Sequence, residues 1–157
     1  MRLEYFQLID RIIALNLADQ TIRTEGLIPT KSTIFEGHFP GHPLMPGVLL
    51  CEAMAQTAGW LIIALTRFER MPFLASLKEA KLRSFVSPGE KLMISAKILH
   101  DGSGFAVTKA ECTIGEKPIC DAIITLRVVP FPNSEFRTSM QKVAERIEFP
   151  METVANG

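Results

Sequence analysis

Glu36-Gly37-His38-Phe39-Pro40-Gly41-His42-Pro43-Leu44-Met45-Pro46-Gly47-Val48-Leu49-Leu50-Cys51-Glu52-Ala53-Met54-Ala55-Gln56-Thr57-Ala58-Gly59-Trp60 is the stretch on which the reading of this chain turns. Its first half, to Gly47, holds three prolines (Pro40, Pro43, Pro46) and three glycines (Gly37, Gly41, Gly47). Proline fixes φ and glycine permits unusual φ, so this loop has little freedom left. Phe39, Leu44 and Met45 are apolar and need burial, so the loop is expected to be stiff and to hold His38 in place. Pro46 suits a position just ahead of a helix. From Val48 to about Thr66 the chain is apolar nearly all round, the pattern of a helix enclosed by protein, in a rod of about 30 Å. One stripe differs. Glu52, Gln56 and Gly59 fall at i, i+4 and i+7 on one face, and they include the only acid and the only amide of the rod.

Outward from this helix the pattern changes to strands. Before it, residues 4–10 read as a short amphipathic helix, and 11–18 and 20–29 as strands joined at Ala18-Asp19-Gln20. After it come four β segments, about 73–86, 90–100, 104–114 and 117–129, broken at Ser87-Pro88-Gly89, Asp101-Gly102-Ser103-Gly104 and Gly115-Glu116-Lys117. Leu92, Ile94, Ala96 and Ile98 alternate with Met93, Ser95 and Lys97; Ala122, Ile124, Leu126 and Val128 alternate with Asp121, Thr125 and Arg127. Three successive short turns predict an antiparallel meander. The fold class is α+β, a curled antiparallel sheet of about six strands around one long buried helix. Residues 1–129 read as one domain and 130–157 as a peripheral tail, with a polar helix-like piece around 134–147.

Composition narrows the function classes. At 157 residues the chain is long enough for a substantial core. Lys+Arg and Asp+Glu are both 17, which gives no sign of nucleic-acid or membrane-surface binding. Val48–Leu65 nears the length of a membrane span, but Glu52 and Gln56 interrupt it and alternating strands follow, so a buried core helix is expected. Cys51, Cys112 and Cys120 show no C-x-x-C spacing, and the start has no signal-peptide pattern, so a cytoplasmic location is expected.

A histidine and an acid on the walls of an apolar slot suit proton transfer. His38 near neutrality can take a proton from carbon, and Glu52, if desolvated in the rod, is expected to hold a proton to donate. The first-turn amides after Gly47 are unsatisfied donors at the positive end of the helix dipole and could polarise a carbonyl. Together these suggest addition or elimination chemistry. His38 and His42 are spaced H-x₃-H, but Pro40, Gly41 and Pro43 exclude the helix that would aim both at one metal, so no metal is expected. Cys51 reads as core filling and His100 as a surface residue; no cofactor is implied.

Gly37 through Leu49, followed by Glu52-Ala53-Met54-Ala55-Gln56, resembles the bacterial 3-hydroxyacyl-(acyl carrier protein) dehydratases, as does Leu82-Arg83-Ser84-Phe85-Val86-Ser87-Pro88-Gly89-Glu90. The resemblance spans about residues 1–129. It implies a hot-dog fold and a homodimer, often further assembled as a trimer of dimers. It implies that His38 and Glu52 are the catalytic pair, meeting across the dimer interface. It also implies that the Gly47 amide polarises the substrate carbonyl and that Gln56 orients the acid. A glutamate at position 52 resembles the dehydratase-only branch, not the branch that also isomerises the double bond. The implied substrate is a (3R)-hydroxyacyl chain on the phosphopantetheine of an acyl carrier protein, in fatty acid or lipid A acyl-chain synthesis, and the product a trans-2-enoyl thioester. The carrier is acidic, which makes Lys78, Lys81, Arg83 and Lys97 candidates for its docking rim. Trp60, Leu61, Phe73 and Phe85 are candidates for closing the acyl tunnel. A thioesterase on the same fold and a non-catalytic acyl-binding protein are the alternatives.

Overall fold

A computed structural model describes residues 1–155. A 3-10 turn at Leu3–Tyr5 opens the chain, followed by β1 (Arg11–Asn16), β2 (Thr21–Leu27), α1 (Thr33–Gly37), α2 (Gly47–Leu65), β3 (Arg70–Leu82), β4 (Lys91–Gly102), β5 (Phe105–Ile114), β6 (Lys117–Pro130), α3 (Ser134–Arg146) and α4 (Met151–Ala155). The six strands form one antiparallel sheet in the order β1-β2-β4-β5-β6-β3. Helix α2 packs against β2 through β6, so the sheet curls around it as the hot-dog resemblance implies.

The apolar pattern of α2 is satisfied inside the protein: 72% of its apolar window is buried, which makes it a core helix despite its length. The one fully buried polar side chain of α2, Thr57, finds partners. Thr57 donates its hydroxyl to the Ala53 carbonyl, 3.0 Å, and accepts from Thr24 of β2 at 2.8 Å. The helix stops at Leu65, where Arg67 and Phe68 take left-handed backbone angles (φ 52° and 59°) and turn Phe68 into the core.

Three expectations are corrected by the geometry. Residues 4–10 are not a helix. Only Leu3–Tyr5 turn, Phe6 is left-handed (φ 53°), and the chain then runs extended so that Leu8 and Ile9 are both buried. The four later strands are not one meander. β3 begins at Arg70 and pairs with β6, at the sheet edge, where Pro72 removes no needed ladder bond. Residues 83–90 cross over instead of forming a hairpin. Their backbone bonds go to scattered partners: the Arg83 amide to Ile119, the Val86 carbonyl to Met45, and Gly89 and Glu90 to Ile28. The third correction is α1, which the proline-rich loop hides; Ser32 caps it by accepting from the Ile34 amide at 3.1 Å.

Residues 131–155 pack onto the body. Asn133 caps α3 by accepting from the Phe136 amide at 2.7 Å. Ala144, Ile147, Phe149 and Val154 are buried in the same core as α2. The Phe149 ring lies 5.7 Å from Trp60 and 5.1 Å from Phe68, and the Ile147 carbonyl accepts from the Ile12 amide.

The start of α1 is tied to the N-terminus by one carboxylate. Glu4 accepts from the Ser32 hydroxyl (2.6 Å) and the Thr33 amide (2.9 Å), and these bonds, the Ser32 one foremost, hold its pKa down at about 2. A carboxylate depressed in the folded state stabilises fully above its unfolded pKa and loses that contribution as pH falls toward the folded value. The contribution of Glu4 should therefore fade between the ordinary carboxylate range and about pH 2. Acid unfolding of Glu4→Gln, followed by circular dichroism, should show a shallower loss of stability over that window; an unchanged acid limb counts against the cap.

Candidate active site

His38 sits immediately after α1, in a turn closed by its own backbone. Phe39 and His42 exchange amide–carbonyl bonds (3.0 and 2.8 Å), and the Leu44 amide donates to the His38 carbonyl at 2.9 Å. The Nδ1 of His38 lies 3.0 Å from the Leu44 carbonyl. A carbonyl only accepts, so Nδ1 carries the proton in the neutral ring and Nε2 is left with its lone pair. The Phe39 ring stacks on the imidazole at 4.1 Å. Of the apolar side chains expected to be buried in the loop, Met45 is buried and Phe39 is 50% exposed; the hydrogen bonds that close the turn select one tautomer and one ring orientation.

Gly47 begins α2 beside this imidazole. Leu49 and Leu50 donate to the Pro46 carbonyl, whereas the amides of Gly47 and Val48 meet no backbone carbonyl among the described residues. A cavity of about 520 Å³ is lined by His38, Phe39, Gly47, Leu82, Phe85 and Lys117, among others. Gly47 leaves room there: a Cβ would come within 2.5 Å of the Leu82 side chain.

Glu52 lies one turn along α2 and faces elsewhere. Its Oε1 accepts from Gln56 Nε2 at 3.1 Å. Gln56 is fixed from the other side by the N-terminal segment: the same Nε2 donates to the Phe6 carbonyl at 2.8 Å, and its Oε1 accepts from the Leu8 amide at 3.4 Å. Glu52 is half-buried, less enclosed than the apolar rod suggests. The Glu52–Gln56–Gly59 stripe lines a second cavity, of about 360 Å³, with Phe6, Trp60 and Phe73.

One chain therefore groups His38 with Gly47 and Glu52 with Gln56, in two separate cavities. Of the tunnel candidates, Trp60 and Phe73 line the Glu52 cavity and Phe85 the His38 cavity; Leu61 is fully buried in the core and lines neither. Of the basic candidates, Arg83 borders the His38 cavity, where it pairs with Asp121 at 2.6 Å. Lys97 sits in the middle of the sheet opposite Thr21 and Lys109, away from both cavities. Lys117, at the His38 cavity, and Phe6 and Leu8, which fix Gln56, escape sequence reasoning because only tertiary packing brings them there.

The comparisons with known proteins fit this geometry. Residues 2–123 match the FabA-like domain. A 3-hydroxyacyl-(acyl-carrier-protein) dehydratase FabZ of Lactiplantibacillus plantarum is 34% identical over 121 residues, covering 76% of this chain and 82% of that protein. The chain belongs to this dehydratase family. Another member, the FabZ of Levilactobacillus brevis, is 35% identical over 121 residues, 76% of this chain and 81% of the relative. Among solved structures, a conserved protein of Pseudomonas aeruginosa superposes with a TM-score of 0.63 at 21% identity, over 80% of this chain and 91% of that one, a likeness in fold. The dehydratase match ends within β6, so α3 and α4 lie beyond it.

Proposed function

We propose that this chain removes water from a 3-hydroxyacyl thioester carried by acyl carrier protein, with His38 as base and Glu52 as acid. The observation that carries the reading is the division of labour between the two cavities. One offers an imidazole whose Nδ1 is bonded to a carbonyl, leaving Nε2 free, beside two amides that meet no backbone carbonyl among the described residues; the other offers a carboxyl held by Gln56. His38 takes the proton from the carbon next to the thioester carbonyl. The amides of Gly47 and Val48 stabilise the resulting enolate, a donor pair of a kind that contributes about 3–4 kcal/mol per bond. Glu52 donates a proton to the departing hydroxyl, water leaves, and the double bond forms between the second and third carbons.

The two groups meet when two chains associate. β3 ends the sheet, and beside it Phe73, Leu74, Leu77, Leu82 and Phe85 stay exposed, Phe85 at 83%. An apolar edge strand of this length invites pairing with another copy. In the proposed two-fold pair across β3, His38 of each protomer faces Glu52 of its partner, and a trimer of such dimers is the proposed further assembly. The three cysteines are free thiols, in keeping with work in a reducing cytosol.

The reaction is tested by following enoyl absorbance from a (3R)-3-hydroxyacyl thioester. Enoyl product without free thiol is expected; free thiol without enoyl product overturns the proposal in favour of a thioesterase. The carrier protein, being acidic, is proposed to dock at Arg83 and Lys117, which border the His38 cavity. Reversing both charges to Glu should raise KM for the carrier-bound substrate about tenfold at low salt and leave kcat within twofold, the gap closing as salt screens the contact. Equal KM on carrier-bound substrate at low salt places docking elsewhere.

A further inference from the structure

The cavity beside Glu52 has one wall made by residues beyond the dehydratase match. Met140, Val143 and Arg146 of α3, with Ile147 after it, face Gly59, Trp60, Phe73 and Leu126 across the same space. α3 is packed against the body at both ends. Phe136 packs between Phe73 (6.4 Å) and Phe131 (6.1 Å), and Ile147 and Phe149 are buried in the core at its C-terminal end. Met140 and Val143 are apolar and only partly buried; the surface they keep borders the cavity. They stand at i and i+3, one face of a helix whose other side chains are mostly polar.

We infer that α3 is part of the acyl-binding site: Met140 and Val143 touch the acyl chain beyond the carbons on which Glu52 works. This rests on the dehydratase reading for the identity of the ligand. Glu52 and Gln56 line the same continuous cavity as α3, so a chain whose hydroxyl meets Glu52 enters the space that α3 closes. Apart from Arg146, the lining beyond Glu52 and Gln56 is apolar aliphatic and aromatic, which suits methylenes. Burying one further methylene is worth about fourfold in binding, so a wall side chain should discriminate by acyl length and leave the chemistry at the thioester end alone.

The test compares full-length wild type, Val143→Trp and Met140→Ala on 3-hydroxyacyl thioesters of increasing length. Val143→Trp should lower kcat/KM about tenfold or more on the longer chains and leave the shortest within about twofold. Met140→Ala should shift the length preference without a common loss. A loss common to all lengths, or no change in either variant, overturns the inference. Thermal melts of both variants separate a folding defect from a binding one. Direct titration with saturated acyl-pantetheines of the same lengths reads the wall without turnover. If the wild type dehydrates nothing yet its length-dependent binding moves with these substitutions, the dehydratase reading fails and the wall stands. If dehydration proceeds and neither profile moves, the wall fails alone.

Discussion

Glu52→Gln should cut dehydration turnover by about 10²-fold or more while leaving the fold and substrate binding nearly intact. Glutamine keeps an oxygen for the bond from Gln56 Nε2, so the local geometry survives and the transferable proton is lost. His38→Ala should cost a similar factor, because the other ionisable groups among the described residues that border that cavity, Arg83 and Lys117, are not bases near neutrality. Full activity in either variant overturns the assignment. Mixing the two inactive variants is the sharper experiment. Sites built from one residue of each protomer regenerate in mixed dimers, with one wild-type site in each and about a quarter of full activity after random exchange. Sites built within one chain regain nothing. This separates the shared site from a site in which His38 and Glu52 work apart.

Phe149→Ala should destabilise the protein by about 3–5 kcal/mol, the cost of emptying a large aromatic site in a packed core. The ring is 6% exposed and contacts Trp60 of α2 and Phe68 at the turn into β3, so its loss opens a cavity at the end of the core helix. At 2–4 °C per kcal/mol for a chain of this size, the midpoint should fall by roughly 6–20 °C. Urea unfolding at fixed protein concentration is the measurement. A change below 1 kcal/mol would mean that residues 131–155 are only loosely laid on the body. The same substitution should disturb the Glu52 cavity, since Trp60 lines it.

Part of the candidate site's local geometry was legible in the sequence. The lone acid and lone amide of an apolar helix, spaced i and i+4, do share a face and do bond each other, because that spacing fixes their proximity whatever surrounds the helix. The prolines and glycines around His38 do hold a closed turn. What stayed hidden depends on distant parts of the chain. Gln56 is anchored by Phe6 and Leu8, fifty and forty-eight positions away, and no local pattern marks a backbone carbonyl as its partner. Ala144, Ile147, Phe149 and Val154 are spread thinly through polar surroundings, so the segment reads as a tail although these four side chains are buried.

The sequence by itself determined the long apolar helix, the alternating strands around it and the identity of the chemical groups, since side-chain periodicity is set by backbone geometry within a few residues. Tertiary structure alone decided that β3 crosses to the far side of β6, that His38 and Glu52 open into different cavities of one chain, and that α3 walls one of them. Those outcomes depend on which surfaces fit when remote segments meet around α2, and that choice is made by packing across the whole molecule, not by any stretch short enough to read.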